Sequence, residues 1–424
     1  MNPQPEKDQR PHVIIVGAGF GGLRAARELA NAPVRVTLID RNNYHLFQPL
    51  LYQVATAGVA PDEIAYPVRA IFRRQKNLDF RMCEVEAVDL AQRSLRTSSG
   101  DLAYDYLILA VGGTTNYFGL DSLAQHSFGL KELGDATRIR NHLLGQFERA
   151  SQESDPDRRR AMLTFVIVGG GPSGVESAGA ISELVRMLLH KDYPALNPSD
   201  VRVVLLEAFD RLLAHMPPAL SQTTADVLAR KRVEVHFGAA VAGYDGQRVT
   251  LKSGEVLPAE TVIWTAGVRA ARLVDGLGLP QAGLGRVRVE PGLQAPGHPE
   301  VFIIGDAAYL EGEDGKPLGM IAPVAMQQAA HAAANLRRLL RGEPAQPFVY
   351  HDPGIMATIG RNQAVVKLGS LQFTGFPAWV VWLVVHLMQL VGFRNRLQVL
   401  INWAWDYFFY ERAIRLIEGP RSGA

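Results

Sequence analysis

The feature that most restricts what this chain can fold into is a strand–glycine loop–helix–strand–acid unit that occurs twice. In "HVIIVGAGFGGLRAARELA" a buried-strand pattern at Val13–Val16 runs into Gly17, Gly19 and Gly22, spaced G-x-G-x-x-G, and then into an Ala/Leu/Arg helix. The next apolar strand, "VRVTLID", ends in Asp40, 18 residues after Gly22. The unit returns in "TFVIVGGGPSGVESAGAISELVRM", with Gly169, Gly171 and Gly174, and "VRVVLLE" then ends in Glu207. Here the acid follows the last glycine by 33 residues, and the polar stretch "HKDYPALNPSD" at 190–200 absorbs the excess. Such glycines make the tight turn, admit a pyrophosphate to the backbone and let helix and strand pack closely. The helix N-terminus behind them favours anions through free N–H groups and the dipole. The terminal acid suits a ribose hydroxyl.

Two units call for two dinucleotides. A hydride donor and a flavin are the natural pair, because nicotinamide gives the hydride that flavin takes. Glu207 favours a free 2′-hydroxyl, hence NADH over NADPH, although Arg211 lies four residues on. "YDYLILAVGG" ends a strand at Ala110 and Gly112–Gly113, and "TVIWTAGV" ends another at Ala266–Gly267; each reads as a crossover between domains. "VFIIGDAA" puts Gly305 and Asp306 at a strand end, where an acid could hold a ribityl chain. The expected fold class is therefore α/β, with two Rossmann-like dinucleotide-binding domains.

Composition narrows the chemistry. Net charge is +2, with no strong field to argue for nucleic acid. A single cysteine, Cys83, excludes a disulfide framework, thiolate zinc, a CxxC redox pair and a cysteine-ligated iron–sulfur cluster. It sits in "RMCEVEAVDL", which reads as a strand, so a small buried hydrophobe accounts for it. The polar start "MNPQPEKDQRPH" lacks an apolar signal-peptide core, so the bulk of the protein is expected in the cytoplasm.

With these residues in view, the chain resembles the two-dinucleotide-fold flavoproteins, and among them the type II NADH dehydrogenases, single-subunit NADH:quinone oxidoreductases. The similarity runs from about Val13 to Ile417. It is most specific in "NYHLFQPLLYQVATAGVAPDEIAYPVRAIF" at 43–72, in "IGDAA" with its following helix, and in the tail. The resemblance implies FAD at the first loop, over Gly17, Ala18, Gly19, Phe20, Gly21 and Gly22 with Asp40 and Arg41. It implies NADH at the second, over Gly169, Gly171, Pro172, Ser173 and Gly174 with Glu207. By the same resemblance Val85 touches the flavin adenine through its backbone, Asp306 binds the ribityl and pyrophosphate region, and Gln48–Pro49 approach the isoalloxazine. The rival account of that last segment is a helix packed against the FAD domain.

"MIAPVAMQQAAHAAANLRRLL" reads as a helix with Pro323 in its first turn, where a missing N–H costs nothing. In the family its N-terminus points at the flavin, and Ala-Gln-x-x-x-Gln lines the quinone pocket. Here the first glutamine position is Pro323 and the second is Gln327, with Gln328 and His331 read as ordinary helix residues. Glu176, just after the second glycine loop, matches a family glutamate proposed to assist proton movement; its competing explanation is favourable placement in the helix dipole. Glu176 and Gln327 are the catalytic candidates, and no metal site is expected.

The tail raises a separate question. Phe376–Val391 has sixteen apolar-rich residues, a helix of about 24 Å, short of the roughly 20 residues needed to span hydrocarbon. In the following segment Arg394, Gln398, Asn402 and Asp406 recur at i, i+4 beside Leu, Val, Ile and aromatic faces, an amphipathic pattern. Trp405, Tyr407 and Tyr410 suit a membrane interface, and Arg394, Arg396, Arg412 and Arg415 suit anionic headgroups. The family uses this segment as a peripheral anchor, because a quinone with an isoprenoid tail lives in the bilayer. The expectation is a monotopic protein on the cytoplasmic face of the cell membrane, with a homodimer implied by resemblance alone. A dimerisation or core role for the two helices is the alternative. The domains read as FAD-binding over 1–117 and 298–345, NADH-binding over 118–297, and strands plus anchor helices over 346–424, with 151–160 a solvated loop. Sulfide:quinone oxidoreductases and disulfide reductases need cysteines this chain lacks. A flavoprotein reductase of a protein acceptor and a membrane-bound NADH sensor stay open.

Overall fold

The computed structural model describes residues 9–409 and 414–417; Tyr410 and Arg412 lie outside them. The chain divides into two compact units, the first comprising 1–45, 66–114 and 268–352, the second 46–65, 115–267 and 353–424.

The first unit is built on a six-stranded sheet in the order Gln294–Ala295, His298–Ile303, Tyr106–Leu109, His12–Val16, Arg35–Asp40, Leu78–Met82. All neighbours pair in parallel except the first two. Strand His12–Val16 is buried along its whole length, as a central parallel strand covered on both faces must be. The helices Phe20–Glu28 and Ala322–Leu339 pack on one another. Cys83 is buried between strands Leu78–Met82 and Val85–Asp89 rather than within one, and is a free thiol.

The second unit holds a five-stranded parallel sheet in the order Phe128–Gly129, Thr261–Trp264, Thr164–Val168, Arg202–Leu206, Val233–His236. A three-stranded antiparallel sheet of Ile355–Thr358, Ala364–Leu368 and Leu371–Thr374 belongs to this unit. Its first strand packs on helix Pro172–Lys191 at Gly179, where an added Cβ would lie 2.6 Å from the Ile359 carbonyl oxygen.

Three boundaries differ from the sequence expectation. Residues 268–297 join the first unit, because Gln294–Ala295 extends its sheet and Val268–Ala270 pairs with Gly113–Thr115. Residues 46–65 join the second, with Leu51–Ala55 packed on helices Leu133–Ala150 and Pro172–Lys191. Residues 353–424 are part of the second unit rather than separate. Nor is 151–160 all loop: Asp155 caps a helix, Pro156–Met162, by accepting the Asp157 N–H.

The tail forms helices Gly375–Gln389 and Phe393–Phe409. Among the described residues no helix is long and apolar enough to cross a membrane. The second tail helix docks through Asn395, Val399, Asn402 and Trp403, while Arg394 of the expected polar stripe is exposed. Asn395 Nδ2 donates to the carbonyls of Asp62 and Glu63 at 3.0 and 2.9 Å, Asn402 donates to Glu63 Oε1, and Trp403 Nε1 donates to Gln53 Oε1 at 2.8 Å. Phe393, Leu397, Leu400, Ile401, Trp405, Phe408 and Phe409 are left exposed, as are Phe376, Val380, Val384 and Met388 of the first tail helix. Three residues read as interface anchors are used internally. Tyr407 stacks on Trp379 and accepts at its carbonyl from Arg361, Arg396 donates to the Leu390 carbonyl, and Arg415 pairs with Asp192.

Candidate functional site: two latched glycine loops and a buried carboxyl

Each glycine loop sits where the sequence places it, at the carboxyl end of a parallel sheet. In the first unit Gly17 has φ of +101°, and an added Cβ would lie 2.3 Å from the Ala110 carbonyl oxygen. A Cβ on Gly22 would lie 1.7 Å from the Gly17 carbonyl oxygen. Gly19 and Gly112 instead face open space. Gly19 starts helix Phe20–Glu28 with no side-chain cap and no acid in the first turn, and the dipole at that N-terminus favours an anion. Gly21 packs against the Ala325 carbonyl and Ile304. Asp306 lies beside the Gly112–Gly113 turn, its Oδ2 2.9 Å from where a Gly113 Cβ would be. Val85 begins an edge strand of the same unit, and Arg41 is exposed.

Asp40 is more occupied than a bare ribose acceptor. Its Oδ2 accepts the Ala18 N–H and its Oδ1 the Asn42 N–H, each at 2.7 Å. Burial pushes its pKa up, and these bonds work against that shift. His45, buried and held to the neutral side by desolvation, contacts the Ala18 carbonyl through Nδ1 at 2.9 Å, and Phe20 meets its ring edge-on. The loop is therefore fixed from both sides.

The second unit repeats the device. Gly169 has φ of +111°, and its Cβ would lie 2.7 Å from Ala266 Cα; a Cβ on Gly174 would lie 1.8 Å from the Gly169 carbonyl oxygen. Gly171 faces open space and starts helix Pro172–Lys191, again without side-chain cap or first-turn acid, with Pro172 and Ser173 exposed. Glu207 Oε2 accepts the Gly170 N–H in a short hydrogen bond, and Oε1 accepts the Phe209 N–H at 2.8 Å. Leu213 N–H closes the loop onto the Gly170 carbonyl at 2.8 Å. Gly267 leaves room for the Phe118 ring, 2.6 Å from where its Cβ would be. Arg211 is turned back onto the Ala214 carbonyl.

Glu176 is buried in the second turn of its helix. First-turn dipole stabilisation does not explain it, since no acid lies in that turn. Desolvation raises its pKa to about 8. Two smaller effects oppose the shift: the Thr358 N–H, 3.5 Å from Oε1, and the nearby Trp382 indole, whose buried N–H points to no hydrogen-bond partner within normal geometry. Trp382 stacks on His386 with ring centres 4.0 Å apart, and burial lowers the His386 pKa to about 4. The environment is therefore a proton-holding carboxyl at neutral pH, with a neutral imidazole stacked on the neighbouring indole.

Gln327 lies in the second turn of Ala322–Leu339, but both ends of its amide are engaged. Nε2 donates to the His351 carbonyl at 2.8 Å, and Oε1 accepts the His351 N–H at 3.0 Å. Its neighbour Gln328, read as an ordinary helix residue, is fully buried and accepts the Gly305 N–H at 2.7 Å, so it positions the turn carrying Asp306. His331 bonds the Gln346 carbonyl. Gln48 is exposed and donates to the Lys131 carbonyl, with Pro49 beside it in a short 3₁₀ turn of the second unit. Sequence reasoning missed Gln328, His45, and the residues two beyond each acid, Asn42 and Phe209. The last pair had a signal in the matched position after each acid. Among the described residues no cluster suits a metal ion.

Residues 11–329 match the pyridine nucleotide-disulphide oxidoreductase family model, and residues 353–411 match the NDH2 C-terminal domain. The chain is 41% identical to a type II NADH:quinone oxidoreductase of Mycobacterium tuberculosis, covering 97% of this chain and 92% of that one. Its fold superposes on NDH2 from Plasmodium falciparum in complex with NADH with a TM-score of 0.88 at 19% identity, covering 97% and 100% of the two chains. It superposes on the sulfide:quinone oxidoreductase from Aquifex aeolicus with a TM-score of 0.73 at 17% identity, covering 95% and 96%. With its paired glycine loops and the matching C-terminal domain, the chain belongs to the type II NADH:quinone oxidoreductases.

Proposed function

We infer that the protein oxidises NADH and reduces a quinone, with FAD as the bound cofactor. The observation that carries this reading is the duplication of the latched glycine loop, one per unit, each with an uncapped helix N-terminus behind it. The first unit fits FAD: Gly19 and Gly112 leave its approach open, and Asp40 and Asp306 are the acids at the ends of the strands. The second unit fits NADH, held by the 169–174 loop. Bound FAD supplies the hydride acceptor and the onward electron relay. The protein's part is to hold the nucleotides, and Glu176 holds a proton at neutral pH for quinone reduction, which consumes two.

The exposed apolar sides of the two tail helices support docking on a lipid surface, with the quinone taken from the membrane. The proposed location is the cytoplasmic face. Among the described residues no helix crosses a membrane to carry an ion path, and turnover in proteoliposomes is proposed to build no pH gradient. A homodimer is proposed from the family resemblance, to be read by light scattering in detergent.

The deciding experiment is anaerobic. NADH added to purified protein should bleach the oxidised flavin absorbance, and a short-chain quinone should restore it. Bleaching without recovery would remove quinone and favour a protein acceptor or a sensor. Replacing Phe393, Leu400 and Phe408 by Ser should release the protein from vesicles; persistent binding would refute the docking face.

A further inference from the structure

Trp382, on the first tail helix Gly375–Gln389, buries a hydrogen-bond donor that has no acceptor. The side chain is 1% exposed, and its indole N–H meets no partner. A buried donor left unmade is costly. The acceptor at hand is the Glu176 carboxyl, whose ionised form this N–H favours. The indole is held in place on several sides. It stacks on His386 with ring centres 4.0 Å apart, Tyr52 meets it edge-on at 6.4 Å, and Trp403 lies at 6.1 Å. His386 Nδ1 is tied in turn to the Trp382 carbonyl at 2.7 Å. The polar atoms of the other neighbours are engaged with one another: Trp403 Nε1 donates to Gln53 Oε1 and Gln53 Nε2 to the Tyr52 hydroxyl, at 2.8 and 2.9 Å.

A second N–H converges on the same carboxyl. Gly179 lies three residues beyond Glu176, on the same helix face, and the close approach of the Ile359 backbone there carries the Thr358 N–H to 3.5 Å from Oε1. The Thr358 bond is long and the indole bond is unmade, and both gain strength on a charged acceptor. No ionised side chain is among the groups that shift Glu176, and His386 is kept neutral by burial. We propose that Trp382 is the positioning residue for proton release from Glu176, its indole N–H closing on the carboxylate that remains when the proton goes to the quinone. The hydride from NADH carries two electrons and one proton. Glu176 gives the second proton, its O–H bond breaking as the quinol O–H forms, and solvent restores it afterwards. The proposal rests on Glu176 serving quinone reduction.

The test is the pH profile of flavin reoxidation by a short-chain quinone, in FAD-loaded enzyme first reduced with NADH. In the parent the rate should fall as pH rises through about 8, the Glu176 pKa, and Glu176→Gln should lack that limb. Trp382→Phe keeps a ring against His386 and removes the N–H. Its limb should move up by about one pH unit, and its rate below the limb should drop about fivefold, the share of that effect felt in the transition state. Bleaching by NADH should keep its rate, and adding Trp382→Phe to Glu176→Gln should slow reoxidation no further. A limb that stays in place in Trp382→Phe overturns the role of Trp382, as does an additive loss in the double variant. A parent without the limb, or a limb that persists in Glu176→Gln, overturns the proton role of Glu176 and the proposal with it. Infrared spectra of the unaltered protein give a reading that needs no Trp382 variant. One indole N–H stretch should move to lower frequency as pH is raised past about 8, and should stay put in Glu176→Gln; an unmoved band in the unaltered protein overturns the proposal.

Discussion

Glu176 carries a pH-dependent cost that one nearly isosteric change should remove. Its folded pKa lies near 8, against an ordinary 4.5. Below pH 4.5 the carboxyl is protonated in folded and unfolded chains alike, and the cost is absent. Between 4.5 and about 8 the unfolded chain ionises while the folded chain keeps its proton, so stability falls as pH rises; above about 8 the loss is complete. At about 1.4 kcal/mol per pH unit the full loss is about 5 kcal/mol, with about 3 kcal/mol of it already gone at pH 7. Glutamine keeps an acceptor for the Thr358 N–H and has no proton to lose. Any fixed penalty for its amide is the same at every pH. Melting temperatures of parent and Glu176→Gln should therefore diverge between pH 4.5 and 7, the variant gaining roughly 3–6 °C on the parent. A gap that stays constant or closes over that range would refute the buried-carboxyl argument. In the same variant NADH should still bleach the flavin, while quinone reduction slows.

Gly22→Ala puts a methyl group against the Gly17 carbonyl, so the purified protein should lose its FAD, read from the ratio of flavin to protein absorbance. Glu207→Gln is subtler. Both carboxylate oxygens accept backbone N–H groups, so one of them must now face the amide NH₂; the KM for NADH should rise about tenfold with bound FAD unchanged. Asn395→Leu strips a donor from the carbonyls at 62 and 63. It should cost about 2–3 kcal/mol, seen as a lower melting temperature.

Much of the architecture was legible because it depends on local pattern. The glycine spacing, the buried strands before each loop and the acid after each are short-range signals, and all of them position the backbone that meets a nucleotide. The division of the chain was less legible. Whether residues 46–65 pack on one unit or the other depends on contacts with helices about a hundred residues away, which periodicity does not encode. The tail shows the same limit in another form. An i, i+4 polar stripe predicts an amphipathic helix but not which side turns inward. Here Asn402 and Asn395 face the protein because helix Pro61–Ile64 offers them carbonyls and a carboxylate. Gln327 was legible as a residue near the start of the right helix, but its bond to the backbone of His351 lies 24 positions away, beyond any motif.

The carboxylate latches at Asp40 and Glu207 have a consequence for how this molecule meets its nucleotides. A glycine-rich loop left to itself samples many conformations, and a ligand that must order it spends part of its binding free energy on that ordering. Here the ordering is completed during folding: each acid accepts one N–H from its glycine loop, Ala18 or Gly170, and a second from the turn that follows the acid. An arriving dinucleotide finds a rigid receptor, so its intrinsic contacts appear almost undiminished as affinity. Calorimetry should accordingly record an entropy of NADH binding close to that of docking a rigid body, with little sign of loop freezing.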